Sequence, residues 1–422
     1  WLVKAGINRA TVTMFSWAGL AYSFKFIWSP LVDNFKLPFG QFGHRKSWLL
    51  LSQIFIVISL IFISNTDPSM YLIATAIGAI MIAVSSATQD IVIDAYRIES
   101  ASQQMQGALS SMYIAGYRVA MLIAGAGSLY LASFFESGDY NVEVWKKVYL
   151  IMAGLMLVGI LTTIFSPEPK IKRKISLLTS NDQFRFLISF IFALFIFILT
   201  YSQLVPPLVL ESPIQKFLFT FLKIFLSLLF STLIILIFIK INIIPKNSAA
   251  NAYLRPILEF TNRYGKTAFL ILILIGLYRI ADIVMGVVAN IFYLEKGYNI
   301  KEIATYSKFF GVFATIFGGL VGGYSSIKYG TIKALFFGAL IAAASNLLFA
   351  WLAISNASIN SLIIVITADN ISSGFAGAAF VVYLSALTSI KFTATQYALF
   401  SSLMILIPKV LAGYSGSIVN IM

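Results

Sequence analysis

Long uninterrupted runs of apolar residues are the feature that most constrains what this chain can fold into. A bilayer core about 30 Å thick is crossed by a helix of about 20 apolar residues, and runs of that length recur throughout the 422 residues. The chain is 59% hydrophobic and only 11% charged, whereas soluble domains are about half apolar and about a quarter charged. The sequence therefore predicts an all-α polytopic membrane protein.

The apolar runs predict twelve membrane-spanning helices. They cover residues 11–29, 47–64, 70–92, 106–133, 147–165, 185–205, 217–240, 267–292, 303–325, 332–354, 359–386 and 394–420. One alternate set of loops holds more than twice as many Lys and Arg residues as the other, which places the richer set in the cytoplasm. The same bias explains the net charge of +14 without nucleic acid, because the basic residues form no continuous stripe.

A glycine-free stretch divides the chain. No glycine occurs between Gly159 and Gly265, although the chain has 27. Close packing of membrane helices uses small residues, so we expect the two spans in this stretch to be peripheral and lipid-facing. The predicted organisation is an N-terminal bundle over 1–166, a linker with two extra spans over 167–266 and a C-terminal bundle over 267–422.

The two predicted bundles resemble each other weakly. QGALSSMYIAGYR, from Gln106, has an echo in QYALFSSLMILIPK, from Gln396, and each segment opens a span just after a cytoplasmic loop. Each bundle has five spans, so the alignment suggests that one span is missing at each end of a longer, pseudo-symmetric protein. Repeated halves around a central site are typical of secondary transporters.

Other function classes find little support in the residues. The chain has no Cys and a single histidine, His44, so a Cys-based metal site and a thiol nucleophile are excluded, a His-built metal site is not expected, and the sequence offers no catalytic constellation. It has no phosphate-binding loop of the P-loop type, and no motif of a channel filter. We therefore predict a transporter and not an enzyme, with no cofactor and no metal, driven by an ion or solute gradient.

Seven segments in the same order resemble the AmpG-type muropeptide permeases of the major facilitator superfamily. They are YSFKFIWSPLVDNF, GHRKSWLLLSQ, SSATQDIVIDAYR, GYRVAMLIAG, LYRIADIVMG, KFFGVFATIFGGLVGG and FTATQYALFSSL. The resemblance implies two pseudo-symmetric bundles and proton-driven import of anhydro-muropeptides across a bacterial inner membrane, by a monomer. An alternative is transport of another anionic solute, such as a coenzyme A ester.

Three ionisable residues close one of the most apolar helices. Asp90, Asp94 and Arg97 lie three or four residues apart and so share a helix face. With residues of the preceding cytoplasmic loop, they predict a gate of ion pairs that closes the cytoplasmic side in one state. The six predicted gate residues are Asp33, Arg45, Lys46, Asp90, Asp94 and Arg97. The alternatives are a static cluster that fixes helix packing, or a proton carried by Asp90 or Asp94.

Two carboxylates lie deep in predicted spans of the C-terminal bundle. Charged residues at such depth usually pair or face water. Asp282 follows Arg279 by three residues, and we predict that Asp282 carries the coupling proton, with Asp369 as second candidate. Movement of Arg279 upon substrate binding would switch the proton affinity of Asp282. The alternative is a permanent pair within one helix.

Further residues are candidates for the substrate cavity. Arg118 can bind the carboxylates of an anionic substrate, although it can equally pair with Asp94 of the preceding helix. The complete predicted cavity set is Arg118, Arg279, Tyr117, Tyr278, Lys308, Lys409 and Asn370. Lys308 and Lys409 can instead extend towards the membrane surface or pair locally. The run GGLVGG, from Gly318 to Gly323, predicts a close helix crossing, which is either static or a moving interface.

Overall fold

A computed structural model of the chain describes residues 1–37, 42–135, 140–170, 180–204, 213–246 and 250–419. Every regular element in these ranges is helical, as the composition predicts. The first half of the chain contains the helices α1 (Arg9–Phe15), α2 (Ala21–Phe24), α3 (Ser29–Asn34), α4 (His44–Ser64), α5 (Leu72–Ser100), α6 (Gln106–Leu122), α7 (Ser128–Phe135) and α8 (Val142–Phe165).

An inserted segment and a second half follow. The inserted segment contains α9 (Ser180–Leu199), α10 (Pro213–Lys240) and α11 (Arg255–Tyr264). The second half contains α12 (Thr267–Leu277), α13 (Ile280–Glu295), α14 (Ile300–Ile303), α15 (Gly311–Tyr329), α16 (Thr331–Ile354), α17 (Ile359–Leu387) and α18 (Thr393–Val419).

Ten helical segments among the described residues are long and apolar enough to cross a membrane, and each coincides with one predicted span. The predicted span 11–29 is divided into short helical pieces, and Phe24 leaves the helical conformation between two of them, with φ −108° and ψ 4°. The predicted span 394–420 forms one helix, α18, over its described part, and it is not among the ten.

The described chain forms two compact units. One unit comprises residues 1–32, 37–173 and 264–422, and therefore contains most of both halves. The other comprises residues 33–36 and 174–263, which is most of the predicted linker.

Glycines allow the closest helix crossing of the second half. Gly318 and Gly322 of α15 face α17, where an added Cβ would overlap the backbone of Ile371 or Phe375. Gly374 of α17 lies against the carbonyl of Thr315 in the same way. Small residues let two backbones approach in a membrane, where dispersion and not water exclusion holds helices together. The run GGLVGG is therefore a packing surface in this structure.

The next two glycines of α15 face the first half. An added Cβ at Gly323 would overlap the Ser111 hydroxyl and the Gly107 carbonyl of α6. The Ser111 hydroxyl also donates to the carbonyl oxygen of Gly319 at 2.9 Å. Helix α15 thus packs against two helices through different glycines. Gly318 and Gly322 contact α17 of the same half, and Gly319 and Gly323 contact α6 of the first half.

The inserted segment has its own internal packing. The Ser231 hydroxyl of α10 donates to the carbonyl of Ala193 in α9 at 2.9 Å, and the rings of Phe192 and Phe238 lie 5.4 Å apart. The ammonium group of Lys223 lies 4.6 Å from the ring centroid of Tyr201. A cation over an aromatic face is partly compensated for its loss of water, so this deep lysine has a local partner.

Candidate functional site

A break in a candidate span positions Arg279 and Asp282. Helix α12 ends at Leu277, Arg279 leaves the helical conformation with φ −101° and ψ 7°, and α13 starts at Ile280. The Arg279 Nε and an Asp282 carboxylate oxygen are 3.0 Å apart, with the two side chains 22% and 13% exposed. The Nε–H makes no hydrogen bond with good geometry among the described residues, so the contact is an ion pair without a directed bond. This pair is therefore less firmly held than a bidentate one.

Tyr278, which lies at the break between α12 and α13, is held by contacts with α16 and α17. Its hydroxyl donates to the carbonyl of Leu335 in α16 at 2.8 Å, and its ring stacks on Phe380 of α17 with centroids 4.6 Å apart. The guanidinium of Arg279 lies beside Gly377 of α17, where an added Cβ would be 3.3 Å from an Arg279 nitrogen and 3.8 Å from Ile114 of α6. Arg279 therefore reaches the boundary between the second half and the first.

A cavity of about 140 Å³ borders Asp282. Its lining is completed by Tyr278, Asn346 and alanines of α13, α16 and α17. At about 30 Å³ per water molecule, the cavity has room for about four waters next to the carboxylate. Asp282 thus borders a space for a few water molecules within the second half.

Asp369 lies in α17 within electrostatic range of Asp282. No cation among the described side chains forms an ion pair with Asp369. Its neighbour Asn370 is held differently, since its amide oxygen accepts from the Thr315 hydroxyl at 2.9 Å and its amide nitrogen donates to the carbonyl of Ile366 at 2.8 Å. The two carboxylates predicted for coupling thus lie within electrostatic range of each other, while Asn370 takes part in helix packing.

Arg118 lies in α6 of the first half, partly exposed, next to the exposed ring of Tyr117. No carboxylate among the described side chains pairs with it. Its electrostatic neighbours are Tyr117 and Arg279, so two like charges from opposite halves face the same region. Asp94, the alternative partner considered for Arg118, is instead within 3.5 Å of Arg97.

Lys409 supplies another positive charge from α18. Its ammonium group lies 4.0 Å from the position that a Cβ would take at Gly19 in the first half. The side chain of Lys308, also predicted for the cavity, lies outside the described residues. Arg118 of the first half and Arg279 of the second half are therefore electrostatic neighbours, whereas Lys409 lies near Gly19 of the first half.

The cluster at the end of α5 has a partner that its own spacing does not show. The ammonium of Lys25, 1% exposed, contacts Asp90 at 2.5 Å and Asp94 at 3.8 Å. The Tyr113 hydroxyl donates to the second oxygen of Asp90 at 3.0 Å. The buried Asp94 and the partly exposed Asp90 thus lie beside two buried cations, Lys25 and Arg97, and pairing of this kind lets charges tolerate removal from water.

Arg97 connects this cluster to the second half. One of its nitrogens donates to the Ser385 hydroxyl of α17 at 2.9 Å and to Gln106 at 3.1 Å. Its guanidinium also lies 5.3 Å from the ring centroid of Tyr397 in α18. The residue is 6% exposed. Arg97 is therefore a direct polar link between the halves at the predicted cytoplasmic side.

Arg45 and Lys46 belong to a separate cluster. Arg45 forms a bidentate pair with Glu99, with contacts of 2.7 and 3.1 Å. The Glu168 carboxylate accepts from the backbone amides of Arg45 and Lys46 at 2.8 and 3.1 Å. A carboxylate at the first turn of α4 satisfies amides that have no partner within the helix and interacts favourably with its dipole. Asp33 is buried and lies in the other compact unit.

The sequence analysis did not assign Lys25, Glu99 or Glu168 to these clusters. Lys25 is separated from Asp90 by 65 residues, and nothing in local spacing indicates the pairing. Glu99 lies two residues after Arg97 and Glu168 follows Pro167 at the end of a span, so a count of acidic residues near cytoplasmic helix ends would have found both. Among the described residues, no group of three His, Cys, Asp or Glu side chains could hold a metal ion.

Comparison with known proteins identifies the family of this chain and several relatives of it. The family model of the Major Facilitator Superfamily matches residues 5–413. The AmpG 4 protein of Rickettsia conorii (strain ATCC VR-613 / Malish 7) is 32% identical over 423 residues, covering 100% of this chain and 84% of the relative. The anhydromuropeptide permease of Escherichia coli (strain K12) is 28% identical over 404 residues, covering 96% of this chain and 66% of the relative.

Two solved structures share the fold. The proton:xylose symporter XylE, bound to 6-bromo-6-deoxy-D-glucose, matches with a TM-score of 0.57 at 12% identity, covering 97% of this chain and 80% of its own. The human organic anion transporter MFSD10 matches with a TM-score of 0.56 at 11% identity, covering 98% and 82%. At this level of identity the two matches support the fold alone.

Proposed function

The chain belongs to the major facilitator superfamily and, within it, to the AmpG group of transporters, and from that premise we propose that it imports anhydro-muropeptides by proton symport. It is a multi-pass membrane transporter and not an enzyme. The substrate class follows the name of the Escherichia coli relative, an anhydromuropeptide permease. A bacterial inner membrane as its location is part of the same proposal.

The observation that carries the proposal is the pair of arginines that approach from opposite halves. Arg118 and Arg279 lie within electrostatic range of each other, and Arg118 has no carboxylate partner among the described side chains. An uncompensated arginine within a membrane span is costly and marks a functional site by default. Muropeptides carry carboxylates, which arginine binds through two parallel hydrogen bonds. A bound carboxylate would relieve the repulsion and hold the two halves around it.

Proton coupling is proposed to use the two carboxylates of the second half. Arg279 compensates Asp282 at 3.0 Å, and Asp369 is the like charge within electrostatic range. When a substrate carboxylate draws Arg279 away, Asp282 remains as a second negative charge next to Asp369. Two adjacent carboxylates do not both stay ionised readily, so one of them takes up a proton that travels with the substrate.

Alternating access is proposed to use the polar link of Arg97. Its bonds to Ser385 and its contact with Tyr397 hold the halves together at the predicted cytoplasmic end. Opening of this end would break these contacts of Arg97, whereas the contacts of Asp94 with Lys25 and Arg97 lie within the first half. The gate residues Asp90 and Asp94 then keep their partner Lys25 in both states.

Uptake of a labelled anhydro-disaccharide peptide into proteoliposomes tests the proposal. We expect accumulation above the external concentration when an inward proton gradient is imposed, and only equilibration without it. Uptake that ignores the gradient would contradict symport. Unlabelled coenzyme A ester serves as competitor, and its displacement of the labelled peptide at equal concentration would favour the broader alternative of a general anion carrier.

A further inference from the structure

Helix α11 of the inserted segment has three distinct faces. Pro256 and Phe260 are buried, the latter with 3% exposure. On a second face, Ile257 and Leu258 are about half exposed at 48% and 45%, as is Leu254 at 52%, the last residue of the π-helical turn that leads directly into α11. Ile257 and Leu258 follow Leu254 by three and four positions, which places each of them beside Leu254 on the helix surface. A contiguous apolar patch is thus exposed on a helix that already buries another side.

The third face of α11 is polar and basic. Arg255, Asn262 and Arg263 are exposed. Arg263 contacts Glu259 one turn earlier at 3.4 Å, while Arg255 has no carboxylate partner among the described residues. On a helical wheel this face borders the exposed apolar patch. Apolar residues on one side and basic residues beside them are the pattern of a helix that lies in a membrane interface.

The connections of α11 keep it close to the bilayer. Helix α10 contains a candidate span, and both end at Lys240. Asn242 then adopts φ 61°, and the Ile243 amide donates to the Phe238 carbonyl at 2.9 Å. This is a left-handed helix end that redirects the chain. After α11, only Gly265 and Lys266 precede the next candidate span at Thr267. A helix of 10 residues is too short to cross the bilayer.

We propose that the exposed apolar face of α11 lies in the membrane interface and that its basic neighbours bind acidic lipid headgroups. Between residues 240 and 263 the chain has four basic residues and one acidic residue. The basic residues are Lys240, Lys246, Arg255 and Arg263, and all four are exposed. Charge complementarity therefore selects an anionic lipid surface as the occupant, and the tether to a candidate span on each side holds the helix there.

A fluorophore on a single introduced cysteine tests the assignment, because the chain has no native cysteine. The variant Leu258→Cys is labelled with bimane and reconstituted as the full chain in vesicles. The vesicles contain phosphatidylcholine and phosphatidylglycerol in equal amounts. In parallel samples one lipid or the other carries a doxyl quencher. We expect quenching by both lipids, with phosphatidylglycerol favoured, and little quenching by aqueous iodide. A label at Arg263→Cys, on the part of the polar face that points away from Leu258, should instead be quenched more strongly by iodide than by lipid.

The charge contribution is measured by adding Arg255→Gln to the Leu258→Cys variant. A basic residue near an anionic surface contributes about fivefold in affinity, so the preference for phosphatidylglycerol should fall by about that factor. Lys333→Gln removes one exposed positive charge elsewhere on the predicted cytoplasmic side and should leave the preference unchanged.

Three results would overturn the proposal. Strong iodide quenching at position 258 would mean that the face is in water. Protection from both iodide and lipid would mean that protein, such as a second copy of the chain, covers it. Equal quenching by the two lipids would remove the headgroup assignment. None of these results depends on the transported solute, so the test is independent of the proposed transport function.

Discussion

At the scale of single residues, Arg118 decides whether the cavity is built for an anion. Among the described residues, its electrostatic neighbours are Tyr117 and another cation, Arg279. We predict that Arg118→Gln raises the KM for anhydro-muropeptide by about tenfold or more, since a hydrogen bond to a charged group contributes about 1.5–3 kcal/mol. Arg118→Lys should recover part of this loss through charge, but not the bidentate geometry.

Lys146→Gln is the matched control for the arginine, because it removes an exposed positive charge that pairs only with Glu143 at 3.6 Å among the described residues. Its KM should equal that of the unchanged chain. A purely structural Arg118 would give a different pattern, with a lower Tm of the Gln variant and an unchanged KM.

A second single-residue prediction concerns Asp282, whose substitution should affect proton coupling but not the movement of substrate. We predict that Asp282→Asn abolishes accumulation against a gradient, because the amide cannot exchange a proton, while substrate exchange between two filled compartments persists. Parallel measurement of net uptake and of exchange in the same proteoliposomes distinguishes the two. Normal accumulation by the Asn variant would remove Asp282 from the coupling step and leave Asp369 as the candidate.

At the scale of elements, the crossing of α6 and α15 links the halves through glycine. Gly323→Ala would place a methyl group against Ser111 and Gly107 across the chain. We predict that this variant lowers uptake strongly, because the two helices can no longer approach when that side closes. Gly322→Ala instead meets Phe375 within the second half, and should chiefly lower thermal stability, by about 1–3 kcal/mol as for other overpacked sites.

Gly154→Ala is the neutral comparison for both glycines, since nothing lies within 4 Å of its added Cβ. Uptake and unfolding temperature of the three variants, measured side by side, test the distinction between the two faces of α15. Equal losses of uptake and stability in Gly322→Ala and Gly323→Ala would contradict it.

The Arg97 link gives a second prediction about elements. Ser385→Ala removes the cross-half bond of Arg97 and leaves its contact with Asp94 intact. We expect the cytoplasmic end to open more often in this variant. A thiol probe should then label Ser402→Cys at least about tenfold faster than in the Ser385 background, in line with the loss of one charge-assisted hydrogen bond. Ser402 is suited to this probe because it is 2% exposed and lies 3.5 Å from the Tyr22 carbonyl of the first half.

Ser372→Ala controls for the chemistry of the substitution, since the Ser372 hydroxyl contacts Ser345 within the second half alone. The labelling rate of Ser402→Cys should not change in that background. An unchanged rate in Ser385→Ala as well would make the Arg97 cluster a static packing feature and not a gate.

At the scale of the whole molecule, the apolar runs are sufficient to predict the helical membrane fold, because length and hydropathy alone identify ten spans. Local spacing also predicts the contacts of Arg279 with Asp282 and of Arg97 with Asp94. The spacing of residues along the chain does not predict contacts between residues of helices that are distant in sequence. The contacts of Lys25 with Asp90, Glu168 with the start of α4 and Arg97 with Ser385 depend on how helices are arranged. The division into two bundles and a linker stays a prediction.

The central claim is that two arginines from opposite halves receive an anion whose entry is paired with a proton. Substrate-induced acidification of proteoliposomes that enclose a pH-sensitive dye tests it most directly. External anhydro-muropeptide should acidify the lumen, whereas the same disaccharide without its carboxylates should not. Absence of acidification, or an equal response to the uncharged sugar, would contradict the account.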